Sequence, residues 1–149
     1  MSLIIKHKIP TSYRRILYAI LTFGWFSGVG FFIFSNYLTV EGNFGPEKHP
    51  WQFPLLKIHG ATAFLMMISY GALLTSHLPA GWKRGRGKKL GITLITLVAI
   101  QILSAYSLYY MTNEVLREYL VYLHLVSGAL LPIILISHVT FGRKQNTKH

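Results

Sequence analysis

Four histidines are the residues in this sequence best suited to chemistry. His59 and His77 stand near the two ends of KIHGATAFLMMISYGALLTSHL, and His124 and His138 lie in YLVYLHLVSGALLPIILISHV. Both stretches are apolar and long enough to cross a bilayer, and an ionisable side chain inside hydrocarbon is costly enough to mark function. At 100° per residue, the 18-residue step from His59 to His77 is five full turns. The 14-residue step from His124 to His138 falls about 40° short of four turns. Each helix therefore shows both of its histidines on one face. Neutral imidazole is a good ligand for haem iron, and two imidazoles on one iron leave no coordination position open, which suits electron transfer and not oxygen binding.

The elements that must position these side chains read as membrane spans. The chain has 149 residues, of which 52% are hydrophobic, and the apolar residues cluster into long runs. That clustering predicts an all-α fold, an integral membrane four-helix bundle forming one transmembrane domain over 1–149. Its spans fall at about 13–40, 54–78, 90–111 and 115–141. The basic-then-apolar start has a run too long for a signal peptide and no A-x-A site, so it reads as a mature helix. The formal charge of +11 does not point to nucleic acid, because Lys and Arg cap the spans. Only Lys48, Lys57 and Arg117, together with all four acids, fall outside the N-terminal lead, the 81–89 loop and the C-terminal tail. The positive-inside rule thus places both termini and the middle loop in the cytoplasm. The expected location is a bacterial or archaeal cytoplasmic (inner) membrane, crossed several times.

In that topology spans two and four are parallel. His59 and His124 share the outer half, where they pair on one iron, and His77 and His138 share the inner half, where they pair on a second. Alternatives with one haem or none remain open. Eighteen residues rise about 27 Å and fourteen about 21 Å, so level pairs need one helix tilted or irregular at its end. His77 is expected at the end of its helix, which Pro79-Ala80-Gly81 terminates. Gly60 and Gly128 keep space beside His59 and His124 for a flat macrocycle, and Pro132 predicts a kink in span four. Lys57 and Arg117 outside, and Lys83, Arg84 and Arg143 inside, either meet haem propionates or snorkel to the interface.

Other features have blander readings. Gly24 and Gly28 form a G-x-x-x-G in span one, which fits ordinary helix packing or the close approach of a flat cofactor. Gln101 is the one amide at mid-membrane depth and is expected to act as interhelical glue, with a hydrogen bond to a ligand as the other reading. His49, in the connection EGNFGPEKHPWQF, reads as a solvated residue of an ordered loop. The run GWKRGRGKK lacks the glycine spacing of a phosphate loop. There is no Cys, so disulfides, thiolate haem ligands, Cys-ligated iron–sulfur clusters and covalent haem attachment are excluded.

Two histidines four to five turns apart on each of two helices, with glycines beside them, resemble the four-helix core of membrane b-type cytochromes. Small cytochrome b subunits of bacterial oxidoreductase complexes are most similar, over 57–78 and 119–141. The resemblance implies haem b on His59, His77, His124 and His138, and exchange of electrons with quinone. The expected partners are other subunits of a membrane redox complex, an extramembrane cytochrome c or iron–sulfur protein docking on the 41–53 loop at Phe44 and Trp51, and membrane lipid. Three functions compete: an electron-transfer subunit, a quinone-linked or ferric reductase in its own right, and a haem-free assembly or anchor subunit. The one acid within the spans is Glu118 in the first turn of span four, and the one Lys is the boundary Lys57, so no acid or base sits deep in the spans, which favours the first.

Overall fold

The computed structural model describes residues 9–84 and 87–146, with the side chains of Arg84 and of 143–146 outside that description. The expected roles of Arg84 and Arg143 therefore fall outside the described residues. Four helices dominate: α1 Thr11–Asn36, α2 Gln52–Arg84, α3 Lys88–Tyr110 and α4 Glu114–Asn146. Each is long and apolar enough to cross a membrane. The chain divides into two compact units, Met1–Gly71 and Ala72–His149, whose boundary falls inside α2.

Side-chain burial is inverted relative to a water-soluble core. Among the described residues only Leu17 and Val98 are buried apolar residues, whereas one serine is buried on each helix: Ser27, Ser69, Ser104 and Ser127. Small residues let helix backbones approach, and hydrocarbon does not drive large apolar side chains inward. Three of these serines bond carbonyls of their own helix: Ser27 to Phe23, Ser104 to Ile100 and Ser127 to Leu123, each at 2.6 Å.

In the first unit α1 runs antiparallel to the start of α2. The Tyr13 hydroxyl donates to the Ser69 carbonyl at 2.9 Å, and the Gln52 amide donates to the Ser35 hydroxyl at 3.2 Å. Partners thus descend along α2 as they ascend along α1. The glycines of α1 form the seam. A Cβ on Gly24 would lie 3.2 Å from Thr62 Oγ1, and one on Gly30 would lie 3.3 Å from Leu55. Helix packing accounts for the G-x-x-x-G.

Between these helices the structure departs from expectation. Helix α1 stops at Asn36 and not near residue 40, and the expected ordered loop is in part a hairpin. Strands β1 Thr39–Gly42 and β2 Gly45–Lys48 pair antiparallel with Gly42 opposite Gly45. The β-branched Thr39 and Val40 favour extended backbone over a further helical turn. Gly45 adopts φ +116°, a conformation that a residue with a Cβ rarely takes. Phe44 stands fully exposed at the tip.

In the second unit α3 and α4 are antiparallel neighbours joined by three residues. Asn113 caps α4 by accepting the Leu116 N–H at 3.0 Å, and Glu114 follows in the first turn, where an acid suits the helix dipole. Gln101 Nε2 lies 2.6 Å from both the His124 carbonyl and the Ser127 hydroxyl, so this amide is interhelical glue as expected. The expected end of α2 at Pro79 is wrong, since α2 continues through Pro79 to Arg84. Proline removes an i→i−4 bond and crowds the carbonyl four residues back, but apolar membrane-type helices tolerate it where neighbouring groups satisfy the freed carbonyl. His77 therefore lies within a helix and not at its end. Pro132 likewise lies inside α4.

Candidate functional site

Each histidine has a definable setting. His59 is half-buried on α2, with its ring over Gly28: a Cβ on that glycine would sit 2.7 Å from the ring Cε1. Its Nδ1 lies 2.9 Å from the Gly24 carbonyl oxygen, which can only accept. Nδ1 therefore carries the proton, and in the neutral ring Nε2 carries the lone pair. A metal-ligating histidine is commonly fixed this way, through an N–H donated to a carbonyl from the nitrogen that does not bind.

His124 reaches the same state through a different neighbour. Its Nδ1 is 2.8 Å from Ser104 Oγ. The Ser104 proton points along α3 toward the Ile100 carbonyl at 2.6 Å, so the oxygen accepts from Nδ1–H. His124 thus also directs its lone pair to Nε2. Ser104 is almost wholly enclosed, at 3% exposure, so water does not compete for this bond.

His77 and His138 are in edge-to-face contact. Their ring centroids are 6.3 Å apart and the rings are nearly perpendicular, at 81°. Two imidazoles that ligate one ion from opposite sides, each at about 2.0–2.1 Å, hold their centroids about 6.3 Å apart. Nδ1 of His138 is buried with no hydrogen-bond partner among the described residues. The start of α3 lies beside His138, since a Cβ on Gly87 or Gly91 would stand 3.9 or 3.7 Å from its Cε1, in ordinary van der Waals contact. Gly87 has φ +68° at the start of α3. Among the described residues, no cluster of three or more His, Cys, Asp or Glu could hold a metal ion.

The remaining candidates divide. A Cβ on Gly60 would meet open space, and one on Gly128 would meet Gln101 at 3.2 Å. The ammonium of Lys57 sits 4.6 Å from the centre of the Phe53 ring, and Arg117 donates to the Leu108 carbonyl in the last turn of α3. Lys83 is exposed. His49 packs edge-on against Phe34 and accepts the Trp51 N–H.

The sequence reading missed Ser104 and the Gly24 carbonyl as the groups that orient His124 and His59. Ser104 lies 20 residues before His124, and only the α3–α4 register brings the two together. Comparison with protein-family models, with curated proteins and with solved structures finds no match for this chain.

Ser104 therefore has a testable role as a positioning residue. Ser104→Ala should weaken retention of a metal centre on His124 by about 10–100-fold, the usual cost of losing such an outer partner. Titrating apoprotein with haemin reads the change, and Ser104→Thr, which keeps the hydroxyl, should restore binding. Equal affinity in the alanine variant would remove Ser104 from the site.

Proposed function

We propose that the chain is a multi-pass membrane electron-transfer protein that holds haem b between paired histidines. The observation that carries this reading is the His77–His138 pair, whose 6.3 Å centroid separation matches that of two imidazoles on a single iron. His59 and His124 support it, each with Nδ1 held by a neighbour in the tautomer that puts the ring lone pair on Nε2. On the depths read from the sequence, His59 and His124 serve one haem and His77 and His138 the other. Haem b supplies one-electron chemistry, and imidazole on both faces closes it to oxygen.

The protein's own part is electrostatic and steric. Backbone and hydroxyl partners hold the rings in the ligating tautomer, glycines admit close approach, and hydrocarbon excludes water. Apart from the boundary Lys57 and from Glu114 and Glu118 in the first turns of α4, the spans offer only histidine and tyrosine as a proton route for substrate chemistry, which supports a chain that conducts electrons for a partner. The hairpin end, with Phe44 at its tip, is the surface offered to another subunit or to an extramembrane cytochrome c or iron–sulfur protein.

The orientation has cytoplasmic termini, because basic residues concentrate at the termini and in the 81–89 loop. A Gly85→Cys probe, at a position outside the described residues, should react in intact cells only with a membrane-permeant reagent. Labelling by an impermeant one would overturn the orientation. For function, the reduced-minus-oxidised spectrum of the purified chain should show a b-type signal, with extraction giving two haems per chain. A colourless, haem-free preparation that gains no signal with haemin would refute the reading. Sustained quinol or ferric-reductase turnover with no partner present would refute the conductor role alone.

A further inference from the structure

At the end of the first unit where α1, the hairpin and the start of α2 converge lies a cleft of about 310 Å³. Phe31, Phe53 and Leu56 contribute apolar walls, and Lys48, His49 and Gln52 contribute polar groups. The Gln52 amide is oriented: its Nε2 donates to Ser35, which leaves Oε1 as its remaining acceptor. That oxygen is buried and has no hydrogen-bond partner among the described residues, an arrangement costly to maintain unless a donor arrives from outside. His49 is oriented as well. Its Nδ1 accepts the Trp51 N–H at 3.2 Å, so the neutral ring carries its proton on Nε2 and can donate. Lys48 adds a cation with three donors.

The cleft therefore asks for a ligand that donates a hydrogen bond at one point and carries negative charge a short distance away, on an apolar body. We propose that it binds the headgroup of an ethanolamine phospholipid. The primary ammonium donates to Gln52 Oε1 beside the Phe31 ring, and the phosphate meets Lys48 and His49. The glycerol and upper acyl chains follow Phe53 and Leu56. Exposed Trp51 and Phe53 flank the site, and aromatic residues of this kind settle at headgroup depth, where such a lipid is abundant. The inference rests on the membrane placement proposed above and is independent of haem.

The experiment uses the full chain with Trp25→Phe and Trp82→Phe, so that Trp51 is the sole indole, in phosphatidylcholine vesicles. Dibrominated phosphatidylethanolamine should quench Trp51 at about tenfold lower mole fraction than dibrominated phosphatidylcholine. The two lipids share the phosphate, but a trimethylammonium cannot donate, and one charge-assisted hydrogen bond is worth about that factor. Gln52→Met should abolish the preference and leave quenching by phosphatidylcholine unchanged, and Lys48→Met should weaken both lipids. Helix content measured by circular dichroism verifies that each variant folds. Equal quenching by the two lipids, or a preference that survives Gln52→Met, would overturn the proposal. Reversal of quenching by millimolar soluble phosphoethanolamine would assign the cleft to a free ligand and overturn the lipid.

Discussion

His138→Gly should lower the haem content of the purified chain from two to one, and His77→Gly should give the same product. The two rings lie in edge contact with centroids 6.3 Å apart, so on the proposed ligation removing either would leave one imidazole on the iron and a gap opposite. A single imidazole in that setting holds haem weakly, and a vacant sixth position shifts the spectrum from six-coordinate low-spin toward five-coordinate high-spin. Millimolar imidazole should refill the gap in either glycine variant and restore the low-spin signal, which separates loss of a ligand from loss of fold. His59→Gly and His124→Gly should together define the second haem in the same way. The pairing fails if His77→Gly and His138→Gly remove different haems, or if all four variants keep the parent spectrum. Loss of both haems from one substitution, with helix content and imidazole rescue intact, would count against two separate centres.

Gly28→Val should be nearly as damaging, although Gly28 has no chemistry of its own. Its added Cβ would stand 2.7 Å from Cε1 and 2.9 Å from Nδ1 of His59, closer than nonbonded atoms approach. The ring cannot stay, and the 2.9 Å bond from Nδ1 to the Gly24 carbonyl goes with it. Overpacking of this kind costs about 1–3 kcal/mol, and the displaced imidazole no longer presents Nε2 along its original direction. The expected result is selective loss of the haem that depends on His59, with the His77–His138 signal retained. Gly71→Ala is the matched control, because a Cβ there meets nothing within 4 Å. Full loading of both haems in Gly28→Val would show that His59 does not ligate from this position. Comparable loss in Gly71→Ala would show that the helices resist any added side chain.

The sequence disclosed what depends on local composition. Four apolar runs are a property of length and hydropathy alone, and they agree with the four helices to within a few residues at most ends. The hairpin escaped notice because its strands are four residues each, and Gly45-Pro46-Glu47 reads as turn chemistry. The end assigned to α2 at Pro79 gave too much weight to one missing N–H against a helix that still has Ala80-Gly81-Trp82-Lys83 to continue it. At the candidate site the histidines themselves were legible, since ionisable groups stand out against hydrocarbon. The groups that set their tautomers were not. A backbone carbonyl carries no letter in the sequence, and a serine among several serines and threonines stands out only once helix register is known.

The buried serines bear on how such a chain is made. As each helix leaves the ribosome and partitions into lipid, a hydroxyl already bonded to a carbonyl one turn earlier presents no open polar group, so Ser27, Ser104 and Ser127 need no neighbour for entry. His59 and His124 do need one, and each finds it on the helix made immediately before its own, α1 for His59 and α3 for His124. Vectorial synthesis thus delivers the acceptor ahead of the imidazole that will use it. Both rings can be set as soon as their own hairpin of helices closes, so on the proposed function haem loading would come late in biogenesis, as a capture step on apoprotein whose imidazoles are already oriented.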